Sequence, residues 1–281
     1  MIHNRFAFIN RRTAAAVLGF LVLLTTLFTL TPGTGRAEPT GPPPPFQPGE
    51  RLVYELKWEF IKAGEASLSV MPIETVDGTA AFHFVMTARS VPFIDVFYKV
   101  RDRIDAYANL GLDHSVFYKK KQREGKTRRD IVVLFDWKKN EARYIKSGKP
   151  RDPIELMPGA FDPLSALYYV RTIPPRPDAF IERPVTDGKR NVMGRATFVK
   201  KERIKVNGSE YDAFLIEPEL KHIRGVFEKS EGASIRVWIS ADHRRIPLRV
   251  KSKVAVGSFL ADLISAEGLA PPPERGDATW P

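Results

Sequence analysis

Seven cations fall within eleven residues, Lys119, Lys120, Lys121, Arg123, Lys126, Arg128 and Arg129, with Glu124 as the single acid among them. Opposed across a hairpin they repel, so an anionic partner lowers their energy. The functional reading is contact with phospholipid headgroups, lipopolysaccharide or an acidic glycan. The plain reading is a soluble hairpin tip that needs no partner. A second resource is the supply of large apolar side chains, 18 Phe, 8 Tyr and 4 Trp. Tyr54, Trp58, Phe60, Phe82, Phe84 and Met86 would line one concave face of a curved sheet, with Leu167 and Tyr168 facing them from a helix. Aromatic and Met linings suit an adaptable lipid or peptide pocket, and the same residues equally make a closed dry core.

Other chemistry is thinly represented. Cysteine is absent, which excludes disulfides, thiolate metal sites and Cys nucleophiles. His83, His114, His222 and His243 are too far apart for a short metal-ligand motif, so no metal or other cofactor is expected. There is no G-x-S-x-G elbow, and Ser165 falls inside a helical pattern, where its hydroxyl would bond back to the backbone. The glycines never cluster as a phosphate loop. Asp102 with Asp105, or Glu217 with Glu219, could be drawn as an acid–base pair of a glycosidase, but such pairs arise constantly on strand surfaces. Asp95, set among Phe93, Ile94, Val96 and Phe97, reads as the cap of a turn.

These residues need elements to hold them, and period-two alternation supplies strands. Leu52, Tyr54, Leu56, Trp58 and Phe60 alternate with polar neighbours, and Phe82, Phe84, Met86 and Ala88 repeat the pattern. Further strands are expected over 99–107, 114–121, 128–136, 141–146, 178–184, 190–206, 210–217, 233–240 and 246–256. Asn207-Gly208 is the strongest hairpin signal. Asp162 and Pro163 open one helix, with Leu164, Leu167, Tyr168 and Arg171 on a shared face, and Pro174-Pro175 close it. The fold class is therefore mainly β: a curved antiparallel sheet, a half-barrel or open barrel of about a dozen strands, with one central helix. Linker-like stretches within it occur at Pro150–Pro158 and Pro174–Pro177.

The ends of the chain speak of location. Arg5, Arg11 and Arg12 precede an apolar run from Ala14 to Leu30, and Gly35-Arg36-Ala37 fits a signal-peptidase site. Residues 1–37 read as a cleaved leader, with an uncleaved anchor as the competing reading. Asn10-Arg11-Arg12-Thr13 hints at the twin-arginine route and the strongly apolar run at general secretion. Cleavage would leave no integral span and a charge of +7, down from +11, because Arg5, Arg11, Arg12 and Arg36 are the charged residues removed. Residues 38–48 are a Pro-rich linker, 46–268 a single β-rich domain and 269–281 a polar tail.

Three blocks of residues stand out: Pro45-Phe46-Gln47-Pro48-Gly49-Glu50-Arg51-Leu52-Val53-Tyr54 with Trp58 and Ala63-Gly64-Glu65-Ala66; Phe161-Asp162-Pro163-Leu164-Ser165-Ala166-Leu167-Tyr168-Tyr169-Val170-Arg171; and Val237-Trp238-Ile239-Ser240 with Asp242, Arg245-Ile246-Pro247-Leu248 and Gly257-Ser258. In this order they resemble an exported bacterial family of unknown function, domain of unknown function 3108. The resemblance spans about 46–265 and carries no catalytic residues with it. It implies a fold similar to the curved-sheet carriers that shuttle lipoproteins across the periplasm, in which an incomplete barrel wraps an apolar cavity.

Taken together, the sequence leads to the expectation of a non-enzymatic periplasmic binding protein that holds a lipid or other apolar ligand at the envelope. The alternatives are an assembly factor docking an envelope protein and a hydrolase of envelope glycan. Nucleic acid is not an expected partner of an exported protein.

Overall fold

The computed structural model describes residues 43–219, 233–254 and 257–272. The leader, most of the Pro-rich linker and the tail beyond Pro272 lie outside the described residues. Among the described residues fifteen strands and two helices follow one another. The strands are β1 (Arg51–Trp58), β2 (Ile61–Val76), β3 (Thr79–Ser90), β4 (Arg101–Asn109), β5 (Ser115–Glu124), β6 (Thr127–Asp136), β7 (Glu141–Lys146), β8 (Lys149–Pro150), β9 (Ile154–Glu155), β10 (Phe180–Thr186), β11 (Asn191–Val206), β12 (Ser209–Pro218), β13 (Ser234–Ser240), β14 (Pro247–Val254) and β15 (Gly257–Glu267). Helix α1 (Pro92–Tyr98) lies between β3 and β4, and α2 (Pro163–Thr172) between β9 and β10.

The strands form one antiparallel sheet in the order β10-β11-β12-β13-β14-β15-β1-β2-β3-β4-β5-β6-β7-β8, with β9 on β7. Alternation sets the two faces: in β1, Leu52, Tyr54 and Leu56 are buried between more exposed neighbours. Tight turns fix the register. Val76 pairs with Thr79 and Val206 with Ser209, leaving Asp77-Gly78 and Asn207-Gly208 as two-residue loops. All four loop residues have positive φ, the requirement of the turn that matches strand twist, which Asx-Gly meets at low cost.

The two end strands do not pair with each other. Instead the stretch expected to be a linker around Pro150–Pro158 runs across the gap. β9 pairs with β7, and Phe161 beyond it forms a parallel bridge to Val185 of β10. The Phe161 amide donates to Pro184 O and the Thr186 amide donates to Phe161 O, at 3.0 and 2.9 Å. The prolines permit this because the stretch makes isolated edge contacts rather than a full ladder.

Helix α2 fills the interior. Asp162 caps it, accepting from the Leu164 and Ser165 amides at 2.8 and 3.0 Å. Its other oxygen accepts from the hydroxyls of Ser165 and of Ser115 on β5, both at 2.5 Å. Ser165 thus bonds to the cap carboxylate rather than to the backbone. The helix is buried on nearly every side, not on one stripe. Tyr168 stacks on Phe84 with ring centroids 3.9 Å apart, and Phe46 sets its edge against both. Its last turn places Arg171 against Glu50, both about fully buried, with nitrogen–oxygen distances of 2.5 and 2.9 Å.

Helix α1 was not expected from the sequence. Residues 92–98 are almost wholly apolar, so no periodicity marks them; Pro92 in the first turn is the local signal. Asp95 lies in this helix, bonded to Ser90 and Arg101 rather than capping a turn.

Asp162→Ala removes a helix cap and strands two buried hydroxyls. It is expected to cost about 2–4 kcal/mol in urea denaturation, measured against the wild-type chain. A loss below about 1 kcal/mol would show that α2 is held without its cap.

Candidate functional site

The basic hairpin is β5 and β6, paired with Lys120 opposite Ile131, Lys121 opposite Asp130, Gln122 opposite Arg129 and Arg123 opposite Arg128. Alternation divides the seven cations instead of gathering them. Lys120 and Arg129 line an opening of about 240 Å³ together with Tyr118, Gln122, Ile131, Tyr144, Pro163, Asp187 and Lys189. Lys121 and Arg123 line a groove of about 330 Å³ on the other face, with Thr87, Arg89, Arg101 and Arg103. Lys119 shares that outer face, and Lys126 sits in the turn.

The two sites differ in how far their charges are already satisfied. In the outer groove Arg89 pairs with Glu65, Arg101 with Asp95, Arg103 with Asp105 and Arg123 with Asp130, at 2.6–2.8 Å. In the opening, Lys189 pairs loosely with Asp187 at 3.4 Å, while among the described residues no carboxylate ion-pairs with Lys120 or Arg129. The Lys189 ammonium also sits 4.7 Å above the Tyr144 ring, which Arg151 faces as well. Gly188 makes this approach feasible, since a Cβ there would lie 2.8 Å from Val133.

Burial sets the protonation chemistry around the opening. It pushes the Lys120 ammonium below its ordinary pKa, although Asp102 and Glu124 pull the other way. It pushes both of those carboxyls up, and Asp102 raises Glu124 further. The two are buried side by side. The Arg123 amide donates to Asp102 at 2.6 Å, and the two carboxyls are close enough to bond to each other when one is protonated.

The carboxylate pairs suggested by the sequence do not assemble. Asp102 is inside the sheet, whereas Asp105 is outside on Arg103 and His83. Burial alone would raise Asp105, but those two hydrogen bonds hold it well below the usual carboxylate range. Glu217 pairs with Arg236 and Glu219 with Arg195. His83 does not face water: it is clamped between Glu74 and Asp105 and stacked on Tyr107, because its long neighbours fold over it. His114 packs on Trp137 and His243 approaches Ala270 O, while His222 lies outside the described residues. Among the described residues no group of His, Asp or Glu is placed to hold a metal.

The aromatic residues resolve differently. Tyr54, Phe82, Phe84, Met86, Leu167 and Tyr168 are buried in the packed interior, and Trp58 is partly buried against it. Phe60 is 88% exposed. Trp58 pairs with Ile61, so Glu59-Phe60 is a two-residue turn and the alternation stops at Trp58. Tyr118, Gln122, Tyr144, Asp187 and Lys189 went unnoticed in the sequence. Alternation applied to β5 would have found the first two. Tyr144 comes from β7 and Asp187 and Lys189 from the β10–β11 turn, and none leaves a local signal.

The family described as protein of unknown function (DUF3108) matches residues 53–264. No curated protein matches the chain. A β-barrel-like protein of domain of unknown function DUF1849 from Brucella abortus is similar in structure. Its TM-score is 0.50 at 8% identity, over 79% of this chain and 98% of that one. A protein described as exported, with a YmcC-like fold, from Bacteroides fragilis gives 0.34 at 8% identity over 80% and 98%. A protein described as a lipoprotein from Parabacteroides distasonis gives 0.33 at 10% over 80% and 97%. Among the described residues no helix is long and apolar enough to cross a membrane.

A buried cation with a lowered pKa costs stability near neutral pH, because the unfolded chain holds that proton more tightly. Lys120→Met is therefore expected to keep or raise stability by about 1 kcal/mol at pH 7. The advantage should shrink as pH rises towards about 10, where both states lose the charge. Urea denaturation across that range checks both, and a loss at pH 7 would contradict the burial cost.

Proposed function

The chain belongs to the DUF3108 family of proteins of unknown function, and we propose that it is a non-enzymatic binding protein of the bacterial cell envelope. In this reading it takes the anionic group of an envelope lipid or glycan into the opening between β5, β6, β7 and the β10–β11 turn. The apolar part of such a ligand stays outside, since α2 and the aromatic residues occupy the interior. The leader-like residues 1–37 support export, and cleavage there would leave the protein in the periplasm.

One observation carries the proposal: Lys120 and Arg129 converge with Lys189 on a single opening, and among the described residues no carboxylate makes a contact ion pair with the first two, although Asp102 and Glu124 act on Lys120 from further off. Cations gathered at one opening bind phosphate or carboxylate through charge-assisted hydrogen bonds; Lys120 is half-buried, which strengthens its share, while Arg129 and Lys189 stand exposed at the mouth. Tyr118 and Tyr144 add hydroxyls, and burial keeps the Tyr118 phenol protonated as a donor. A volume of about 240 Å³ suits a headgroup rather than an acyl chain. Hydrolysis would need a pair of carboxyls in the opening, whereas among the described residues that line it Asp187 is the one carboxylate.

Native mass spectrometry of the secreted protein, followed by lipid extraction, is expected to recover a bound anionic component. Titration with short-chain phosphatidylglycerol should show saturable binding that weakens about 10–100-fold in Lys120→Met/Arg129→Met. Equal binding by that variant would move the site elsewhere.

A further inference from the structure

Helix α1 turns its apolar side chains the wrong way for a free surface. It has no buried residue, and Phe93, Val96 and Phe97 are 57%, 78% and 53% exposed. Phe93 and Phe97 meet edge to face at 5.8 Å, so they present one continuous apolar ridge. A scatter of single exposed hydrophobics needs no explanation, but a cluster at one rim does. Gly64 pairs with Ser90, which brings the β1–β2 turn to the same rim and adds the exposed Phe60 to it.

The ridge is held rigidly by its polar side. Asp95 accepts from Ser90 and from Arg101, the latter at 2.6 Å. The Val91 amide donates to Ala63 O and the Gly125 amide to Lys99 O. Tyr98 packs so closely on the β5–β6 turn that a Cβ at Gly125 would fall 2.8 Å from its ring. The helix therefore cannot roll its phenylalanines inward without breaking these contacts.

Cations surround the ridge. Lys99 follows α1 directly, and Lys126 and Arg128 rise from the β5–β6 turn that abuts it. Among the described residues none of these three is ion-paired to a carboxylate, and Arg128 donates only to the carbonyls of Gly125 and Thr127. Of the nearby acids, Asp95 is paired with Arg101 and Glu55 with Lys57 and Lys62, while Glu59 beside Phe60 accepts from the Ser258 amide, one acid against the three cations. A second copy of the chain docked here would oppose like charges, which disfavours self-association through this rim.

We propose that this rim docks on an anionic bilayer surface. Phe93, Val96, Phe97 and Phe60 enter the interfacial region while Lys99, Lys126 and Arg128 meet the headgroups. Apolar burial plus attraction of basic residues is the combination by which a short exposed helix binds a membrane without crossing it. The inference does not rest on what the β5–β6–β7 opening holds.

The test is flotation of the secreted chain with phosphatidylcholine vesicles, with and without phosphatidylglycerol. Binding is expected only to the anionic vesicles and is expected to fall with added salt. Phe93→Ser/Val96→Ser, at exposed positions, should weaken it at least about tenfold with an unchanged circular dichroism spectrum. In a chain that also carries Lys120→Met/Arg129→Met, so that the opening contributes nothing, Lys99→Glu/Lys126→Glu should abolish the preference for anionic lipid that the Lys120→Met/Arg129→Met chain alone retains. No flotation of the wild-type chain would overturn the proposal. So would flotation that survives both rim variants, or a rim variant that changes only the oligomeric state.

Discussion

A guanidinium and a carboxylate buried together inside the curved sheet hold its distant parts in one arrangement. Arg171 ends the inner helix, and Glu50 stands just before the first strand, 121 residues earlier. Arg171 also donates to Arg244 O at 3.1 Å, and its own carbonyl accepts from Arg245, so the β13–β14 turn is tied to the same point. The rings of Phe46 and Tyr168 lie 5.2 and 5.4 Å from the guanidinium carbon. Burial works against the Arg171 charge, and the Glu50 carboxylate more than offsets it. Such a pair contributes little compared with a packed apolar substitute, but losing one partner is severe. What it fixes is position: with Arg171 anchored, α2 must lie inside the sheet.

The position of α2 decides what the sheet can do. The helix and its aromatic neighbours use the apolar face that would otherwise line a lipid cavity. The space left beside β5 and β6 is polar: Asp102 and Glu124 are buried there, Lys120 is half-buried and Arg129 stands exposed at the mouth. The likeness to the Brucella abortus protein concerns the fold and extends over most of both chains. Within that shared architecture, the filled centre and cationic opening are features of these residues, and ligand chemistry has to be argued from them.

The sequence made much of the fold legible because alternation and turn residues are local. The strands, the two-residue Asn207-Gly208 loop and the Asp162-Pro163 helix start all follow from neighbouring residues. The seam from β9 to Phe161 was hidden, since its pairing is made with strands distant in sequence and its prolines read as a linker. Helix α1 was hidden because an all-apolar segment has no period. At the proposed site, charge density drew attention to β5 and β6, yet a run of lysines does not say which of them a pleated strand turns towards the opening. Lys189, Asp187 and Tyr144 reach the opening only through tertiary packing.

The claim that the Glu50–Arg171 pair fixes α2 inside the sheet is tested most directly by a double-mutant cycle in urea denaturation. Glu50→Gln and Arg171→Met are each expected to cost about 3–5 kcal/mol, and the double variant much less than their sum, because it leaves no unpaired buried charge. Additive costs, or single losses below about 1 kcal/mol, would contradict the account and mean that the helix is held by its apolar packing alone.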